Sequence, residues 1–173
     1  MLDIDVESAV DDRLAAIAAC PIDAYEYDPT GTTCSGGSAP GTRALSLVLR
    51  QEFGDRPAEI YNCRPVRGGT SLSLHGEGRA VDFFVDAGRD TELALGNRIV
   101  QWLLVADAAG NAHANARRLG VQEIIWNHQI WTSGRRRDEG MRAYTGPDPH
   151  TTHLHIGQNR SGASMRTSYW TGC

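Results

Sequence analysis

Residues 121–131 read VQEIIWNHQIW, and this stretch decides the fold class. Apolar and polar residues alternate along it, and it is rich in the β-branched and aromatic residues that are typical of strands. The central NHQ is typical of a turn. The stretch therefore predicts a β-hairpin, and a sheet that contains a hairpin is at least partly antiparallel.

Helical patterns lie apart from this hairpin. Helices are expected at residues 5–19, 42–53, 91–108 and 112–120, with Asp90 or Thr91 as the cap of the third. Further strands are expected at EIYNC, residues 59–63, and at RAVDFFV, residues 79–85. Because strands and helices come in separate groups, we predict an α+β fold with a small, mainly antiparallel sheet. Helices should cover one face of this sheet and leave the other face open for a groove.

Length and charge limit the classes of protein to consider. A chain of 173 residues suits one compact unit, in which residues 1–41 form a helix and loop extension of a domain at residues 42–173. The net charge of -4 argues against a nucleic-acid partner, because phosphate recognition depends on cationic side chains. The sequence has no apolar run of about 18 residues, so membrane insertion is not expected. We expect a monomer.

The four cysteines show no CxxC spacing, so a zinc site built from thiolates is not expected. Four cysteines allow three disulfide pairings. We expect Cys20 to pair with Cys34 across the turn-rich stretch between them, which leaves Cys63 and Cys173. Unpaired buried thiols are the alternative.

Two short stretches point to metal chemistry. In RAVDFFV, Asp82 is an acid among apolar residues, and such a carboxylate needs a cation, hydrogen bonds or a metal. In HTTHLHI, residues 150–156, the strand pattern places His153 and His155 on one face. With His75 of SLHGEG, they supply the N and O donors that zinc takes in a site with one open position. The alternatives are a turn between strands at SLHGEG and a salt-bridged Asp82. Spacing alone does not choose between His153 and His155.

These residues carry a family resemblance. The SxHxxGxAxD pattern at residues 73–82 and the HLH at residues 153–155 resemble the motifs of the zinc D-alanyl-D-alanine peptidases, the LAS metallopeptidases and related phage endolysins. The similarity covers residues 42–160 and looks most like the peptidase domains of actinobacteriophage endolysins. It implies zinc bound by His75, Asp82 and His155, with Ser73 steadying the site and contacting substrate. It also implies that Arg64 stabilises an oxyanion, for which a solvated surface arginine is the alternative.

The sequence departs from the family at the catalytic base. The family places Glu or Asp three residues before the last zinc ligand, and this chain has Thr152 there. We expect His153 to accept the proton instead, with His150 as the next candidate, because a histidine titrates near neutral pH. Glu77 and Glu123 are acidic alternatives. Trp126 is expected to line the substrate cleft, although aromatic residues of a hairpin are as often part of a core.

The resemblance implies a function. We expect a zinc-dependent peptidase that hydrolyses stem-peptide or cross-link amide bonds of peptidoglycan, as the catalytic domain of an endolysin. The acidic N-terminus does not look like a secretion signal, so the protein is expected in the host cytoplasm until lysis, with secretion as the alternative. The rival hypotheses are a zinc-containing wall-binding module without catalysis and a metal-free domain stabilised by disulfides.

Overall fold

One antiparallel sheet organises the fold. A computed structural model describes residues 8–134 and 136–173, and within them six strands pair in the order β1-β2-β6-β3-β4-β5. Every neighbouring pair is antiparallel. The predicted α+β class with a mainly antiparallel sheet is therefore confirmed. The strands are β1 Ala58–Glu59, β2 Ala80–Phe83, β3 Val121–Trp126, β4 Gln129–Thr132, β5 Arg142–Ala143 and β6 Leu154–Gln158.

The helices occur near the four predicted positions and at the C-terminal end. None of the helices among the described residues has the length and apolar content needed to span a bilayer. The predicted helix at 5–19 corresponds to α1, although residues 5–7 lie outside the described residues. The helices are α1 Ser8–Ala16, α2 Pro40–Phe53, α3 Asp90–Leu104, α4 Ala114–Leu119, α5 Arg160–Ala163 and α6 Ser168–Thr171, with 3-10 turns at Leu74–Glu77 and Arg137–Glu139.

The predicted hairpin is formed by β3 and β4. Trp126 pairs with Gln129, and the two residues between them, Asn127 and His128, have φ angles of 43° and 63°. A two-residue turn with two positive φ angles matches the twist of antiparallel strands, and asparagine tolerates this backbone region well. Local sequence therefore sets the register of this pair.

The core lies between one face of the sheet and the helices. Alternate residues of the central strands point into it, and Val81, Phe83, Ile124, Leu154 and Ile156 are all fully buried. Burying a side chain of this size stabilises a fold by about 1.5–3 kcal/mol. The helices supply Leu45, Leu49, Ile99, Val100, Leu103, Ala116 and Leu119 to the same core.

Two elements begin or end at other residues than the sequence predicted. Only Ala58 and Glu59 pair as β1, because the chain then turns and the Ile60 carbonyl accepts a hydrogen bond from the ring of His75. The third helix starts at Asp90 without a side-chain cap and ends at Leu104 instead of residue 108. Its last turn stops there because the next residue, Val105, has extended backbone, and its carbonyl accepts from the Ala114 amide.

The expected disulfide between Cys20 and Cys34 is wrong. The structure pairs Cys20 with Cys173 and Cys34 with Cys63. Cys20 follows α1, and α1 lies beside the C-terminal end of the chain, where Arg13 donates to the Tyr169 carbonyl at 2.9 Å. These pairings join segments far apart in sequence, so tertiary packing decides them.

Candidate metal centre

Three different elements bring His75, Asp82 and His155 together. His75 lies in the 3-10 turn at Leu74–Glu77, whose first residue is preceded by Ser73; the Ser73 hydroxyl accepts from the His75 amide at 3.3 Å. Asp82 in β2 pairs directly with His155 in β6 across the antiparallel ladder. Both strand residues point away from the core, because their neighbours Val81, Phe83, Leu154 and Ile156 fill it.

The three side chains present one donor atom each to a common point. The Asp82 Oδ1 lies 3.0 Å from the His75 Nε2 and 2.9 Å from the His155 Nδ1. The two ring nitrogens are 3.2 Å apart. Bond lengths of about 2.0–2.1 Å place neighbouring ligands of a tetrahedral zinc roughly 3.3 Å apart, so this triangle fits such an ion with little movement. The structure therefore has a His/Asp group that could bind a metal ion.

Contacts with groups outside the metal centre determine which ring nitrogen of each histidine carries the proton. The His75 Nδ1 is 2.7 Å from the Ile60 carbonyl, which can only accept, so the proton of the neutral ring lies on Nδ1 and Nε2 carries the lone pair. The His155 Nε2 lies 3.4 Å from Glu123 Oε1, which favours a proton on that nitrogen and leaves Nδ1 to face Asp82. A ligand histidine commonly makes such a contact with a carbonyl or carboxylate.

Burial and charge perturb the pKa values of the pair in β2 and β6. Burial alone would raise the pKa of Asp82, but the contacts with His155 and His75 outweigh it, so the pKa of this carboxyl lies far below its usual range. Burial would lower the pKa of His155, yet Asp82 and Glu123 together raise the pKa of His155 to about 9. Without a metal, a proton therefore stays on His155 at neutral pH, and a metal must displace it.

A groove of about 300 Å3 opens on this side of the sheet. His75 and His155 lie in its wall, and so do three other predicted residues, Arg64, Ser73 and His150. The Arg64 side chain is partly exposed and forms no ion pair or side-chain hydrogen bond with any residue that the structure describes. Its guanidinium is thus free to meet a ligand.

His153 lies on the other side of Asp82. Its Nε2 is 3.8 Å from Asp82 Oδ2, and its Nδ1 is 3.3 Å from the hydroxyl of Thr152. Burial lowers the pKa of His153. The pKa of His150 falls to about 4, chiefly because of burial and secondly because of His155, so both rings are neutral at physiological pH. The predicted proton acceptor thus lies beside the metal group.

Trp126 does not line the groove. Its side chain is 2% exposed and belongs to the core, where its indole nitrogen donates to Asn97 Oδ1 at 3.1 Å. Trp126 and Ile124 share one face of β3, whereas Glu123 and Ile125 face the groove. The predicted substrate contact is therefore corrected to a core position.

Of the two acidic alternatives, only Glu123 reaches the site. Glu77 accepts from the Gly31 amide at 2.8 Å and from the Arg79 guanidinium at 2.9 Å, and so holds the N-terminal segment in place. This segment contributes a wall of the groove that the sequence did not predict. Its groove-lining residues are Tyr27, Asp28, Pro29 and Thr30.

Comparison with known proteins identifies the family. The chain matches no curated protein and no solved structure. A family model described as "VldE, C-terminal domain" matches residues 34–155, which is more than half of the chain. The matched segment runs from Cys34 of the second disulfide to His155 of the metal group and includes the whole His75, Asp82 and His155 triad. The chain therefore belongs to the VldE C-terminal domain family.

Proposed function

We propose that this protein is a zinc-dependent peptidase that hydrolyses amide bonds in the stem peptides or cross-links of peptidoglycan. One observation carries the proposal: two histidine nitrogens and one carboxylate oxygen lie within 3.2 Å of one another at the edge of an open groove. Zinc suits this mixed N and O donor set, since its catalytic sites with three protein ligands keep a fourth position open. The resemblance to zinc D-alanyl-D-alanine peptidases supports the choice of substrate.

Zinc bound by His75, Asp82 and His155 would polarise a carbonyl group and activate water at neutral pH. The other roles fall to the chain itself. Glu123 and the Ile60 carbonyl orient the two ligand rings. His153 accepts a proton from the attacking water, with His150 as the second candidate, because both imidazoles are neutral at physiological pH.

Arg64 completes the proposed active site. Its guanidinium lines the groove and has no ionic partner among the described residues. In that position it would stabilise the negative charge that develops on the carbonyl oxygen during attack. Because no carboxylate among the described residues holds it, no ion pair has to break when it turns to the substrate.

A second candidate function is a zinc-containing module that binds the cell wall without cleaving it. Thr152 favours it, because its hydroxyl is 3.3 Å from the His153 ring and no carboxylate occupies the position that the resembling enzymes give to their base. Under this alternative, the metal bound by His75, Asp82 and His155 would stabilise the groove without taking part in hydrolysis.

The disulfides bear on where the protein works. All four cysteines are paired, and disulfides persist mainly in oxidising compartments. Of the two expected locations, this favours secretion over accumulation in a host cytoplasm. The proposed substrate lies outside the cytoplasmic membrane in either case.

The test is mass spectrometry of soluble fragments released from purified actinobacterial peptidoglycan, with and without a zinc chelator. New peptide ends that disappear with the chelator, and that His153→Ala abolishes while zinc is retained, would support the peptidase and identify the bond. His128→Asn is the matched control, since His128 is exposed in the hairpin turn. An intact wall after treatment with zinc-loaded protein would reject the peptidase in favour of the binding module.

A further inference from the structure

A second group of potential ligands lies beside the first. The side chains of Asp148, His150 and His153 offer one donor atom each, and these atoms lie within 4.8 Å of one another. All three residues come from the loop that leads into β6. Two imidazoles and one carboxylate form the same donor set as His75, His155 and Asp82.

The ring of His150 has one nitrogen that is free to bind a cation. His150 is 8% exposed, and its Nδ1 lies 2.6 Å from the Asp148 carbonyl, so this nitrogen donates and Nε2 carries the lone pair. No hydrogen bond or ion pair joins that Nε2 to any residue that the structure describes. His150 lies in the wall of the groove, so a cation in the groove can reach this lone pair.

Asp82 connects the two groups. Its Oδ1 faces His75 and His155, whereas its Oδ2 lies 3.8 Å from the Nε2 of His153. A carboxylate that turns one oxygen to each of two ligand groups has the arrangement of a bridge between two cations. Two-metal hydrolytic sites hold their ions about 3.5–4 Å apart, a distance that one carboxylate spans.

Charge also favours a second cation. Asp82, Glu123 and Asp148 place three carboxylates around the two groups, so one bound dication leaves a net charge of about -1 if the histidines are neutral. Arg64 and Arg67 in the wall of the same groove offset part of this charge. Arg67 lies 3.5 Å from Asp148, and its side chain is 70% exposed. An exposed ion pair of this kind contributes little and can open when a metal competes for the carboxylate.

We propose that Asp148, His150 and His153 form a second site for a divalent cation such as zinc, bridged to the first by Asp82, and that its occupation inhibits the enzyme. Inhibition follows because the cation takes the lone pair of His153 that would otherwise accept a proton. The binding stands on the geometry alone, whereas the inhibition rests on the proposed function.

The two sites should differ in affinity. The first group already has its donor atoms within 3.2 Å of one another, whereas in the second a ring nitrogen of His150 lies 3.9 Å from the Asp148 carboxylate. Neighbouring ligands of a tetrahedral zinc are roughly 3.3 Å apart, so the loop has to contract for the second ion to bind. Zinc should therefore fill the two sites in order.

The test is a zinc titration of metal-free protein by calorimetry, with the bound zinc counted by elemental analysis after equilibrium dialysis. We expect one tight and one weaker equivalent in the wild-type protein, and only the tight equivalent in Asp148→Asn and in His150→Asn. Asparagine suits residue 150 because its φ angle is 51°. His128→Asn and Asp55→Asn, which change exposed residues, should keep both equivalents.

The activity arm compares peptidoglycan hydrolysis at one zinc equivalent with hydrolysis at saturation of the second. We expect activity to fall as the weaker site fills, and this fall to be absent in Asp148→Asn. A single equivalent in the wild-type protein, or a second one that survives both substitutions, would overturn the site. Two equivalents with undiminished activity would overturn the inhibition. Absence of activity at every zinc concentration would reject the proposed function while the count of bound zinc still decides the site.

Discussion

His155 shows how one residue can control the metal affinity of the candidate site. One of its ring nitrogens faces Asp82 and the other faces Glu123, and both carboxylates raise the pKa of this buried ring to about 9. Zinc and the proton thus compete for the same nitrogen. Affinity for the metal must then depend on pH.

We predict that zinc affinity rises about tenfold per pH unit between roughly pH 6.5 and 8.5, because the proton on His155 has to leave first. Competition with a chelator of known affinity measures this slope. Glu123→Gln removes one carboxylate that raises the pKa of His155, so the affinity should level off at a lower pH. The exposed Glu139→Gln serves as the control. A zinc affinity that does not change over this pH range would refute the assignment of His155 as a ligand.

Glu77 gives a second residue-level prediction, for acid stability. Burial alone would raise its pKa, but the hydrogen bond from Gly31 and the contacts with Arg79 lower the pKa overall. A carboxyl with a lowered pKa stabilises the fold above its unfolded pKa of about 4.3, and this contribution disappears as the pH falls through the folded pKa.

We therefore expect Glu77→Gln to lower the free energy of unfolding at pH 7 by about 1–3 kcal/mol, since it removes hydrogen bonds to a charged group. Urea denaturation over a series of pH values measures the effect. The difference between the two proteins should shrink as the pH falls below about 4, where the wild-type carboxyl becomes protonated. A difference that stays constant down to the lowest pH would show that the charge of Glu77 contributes nothing.

The sequence predicted the ligands better than their surroundings. His75, Asp82 and His155 belong to a motif with fixed spacing, and the structure brings them together. The supports at Glu123 and the Ile60 carbonyl come from separate elements and depend on strand register and on a turn, neither of which leaves a local pattern. Their binding of zinc stays a prediction.

At the scale of elements, three helix ends meet through glycines. Gly41 in α2, Gly120 after α4 and Gly162 in α5 approach so closely that a Cβ on Gly162 would lie 2.7 Å from the Cα of Gly120. Backbone atoms cannot move aside as a side chain end can. This contact fixes the distance between α4 and the helix that follows β6.

Gly162→Ala should therefore lower the free energy of unfolding by about 1–3 kcal/mol, the usual cost of overpacking a tight contact. Thermal unfolding followed by circular dichroism measures it. Gly37→Ala is the matched control, because a Cβ there meets no atom within 4 Å. Equal melting temperatures for the two variants would contradict the close contact.

Helices and strands were predictable where a short continuous stretch of sequence carried the pattern. The hairpin of β3 and β4 followed from alternation and the turn at NHQ, although Gln129 belongs to β4, and α4 ended at Gly120 as its sequence indicated. The strand expected at residues 59–63 was mostly wrong, since Ile60 uses its carbonyl for His75 instead of a neighbouring strand. Trp126 was misplaced because alternation gives two faces of a strand without saying which one meets the helices.

For the whole molecule, the two disulfides have different roles. Cys20–Cys173 spans 153 residues and closes almost all of the chain, whereas Cys34–Cys63 spans 29 residues and ties the N-terminal wall of the groove to the residue before Arg64. Chain entropy alone assigns about 5 kcal/mol to the first and about 3 to 4 kcal/mol to the second.

We predict that removing one disulfide mainly lowers stability, whereas removing the other mainly lowers activity. Cys20→Ser with Cys173→Ser should cost more stability, and Cys34→Ser with Cys63→Ser should cost more peptidoglycan hydrolysis, because the second pair ends next to Arg64 in the groove wall. Urea denaturation and the fragment assay measure the two effects at a temperature where both variants stay folded. If the loss of activity followed the loss of stability in both, the second disulfide would have no separate role at the groove.

The sheet ends in strands of only two residues, β1 on one side and β5 on the other. An edge strand leaves a row of backbone donors and acceptors without partners, and a long row can recruit another chain. Here each row is too short to give an incoming strand more than a few hydrogen bonds. Resistance to fibril formation at high protein concentration is thus built into the shape of the sheet.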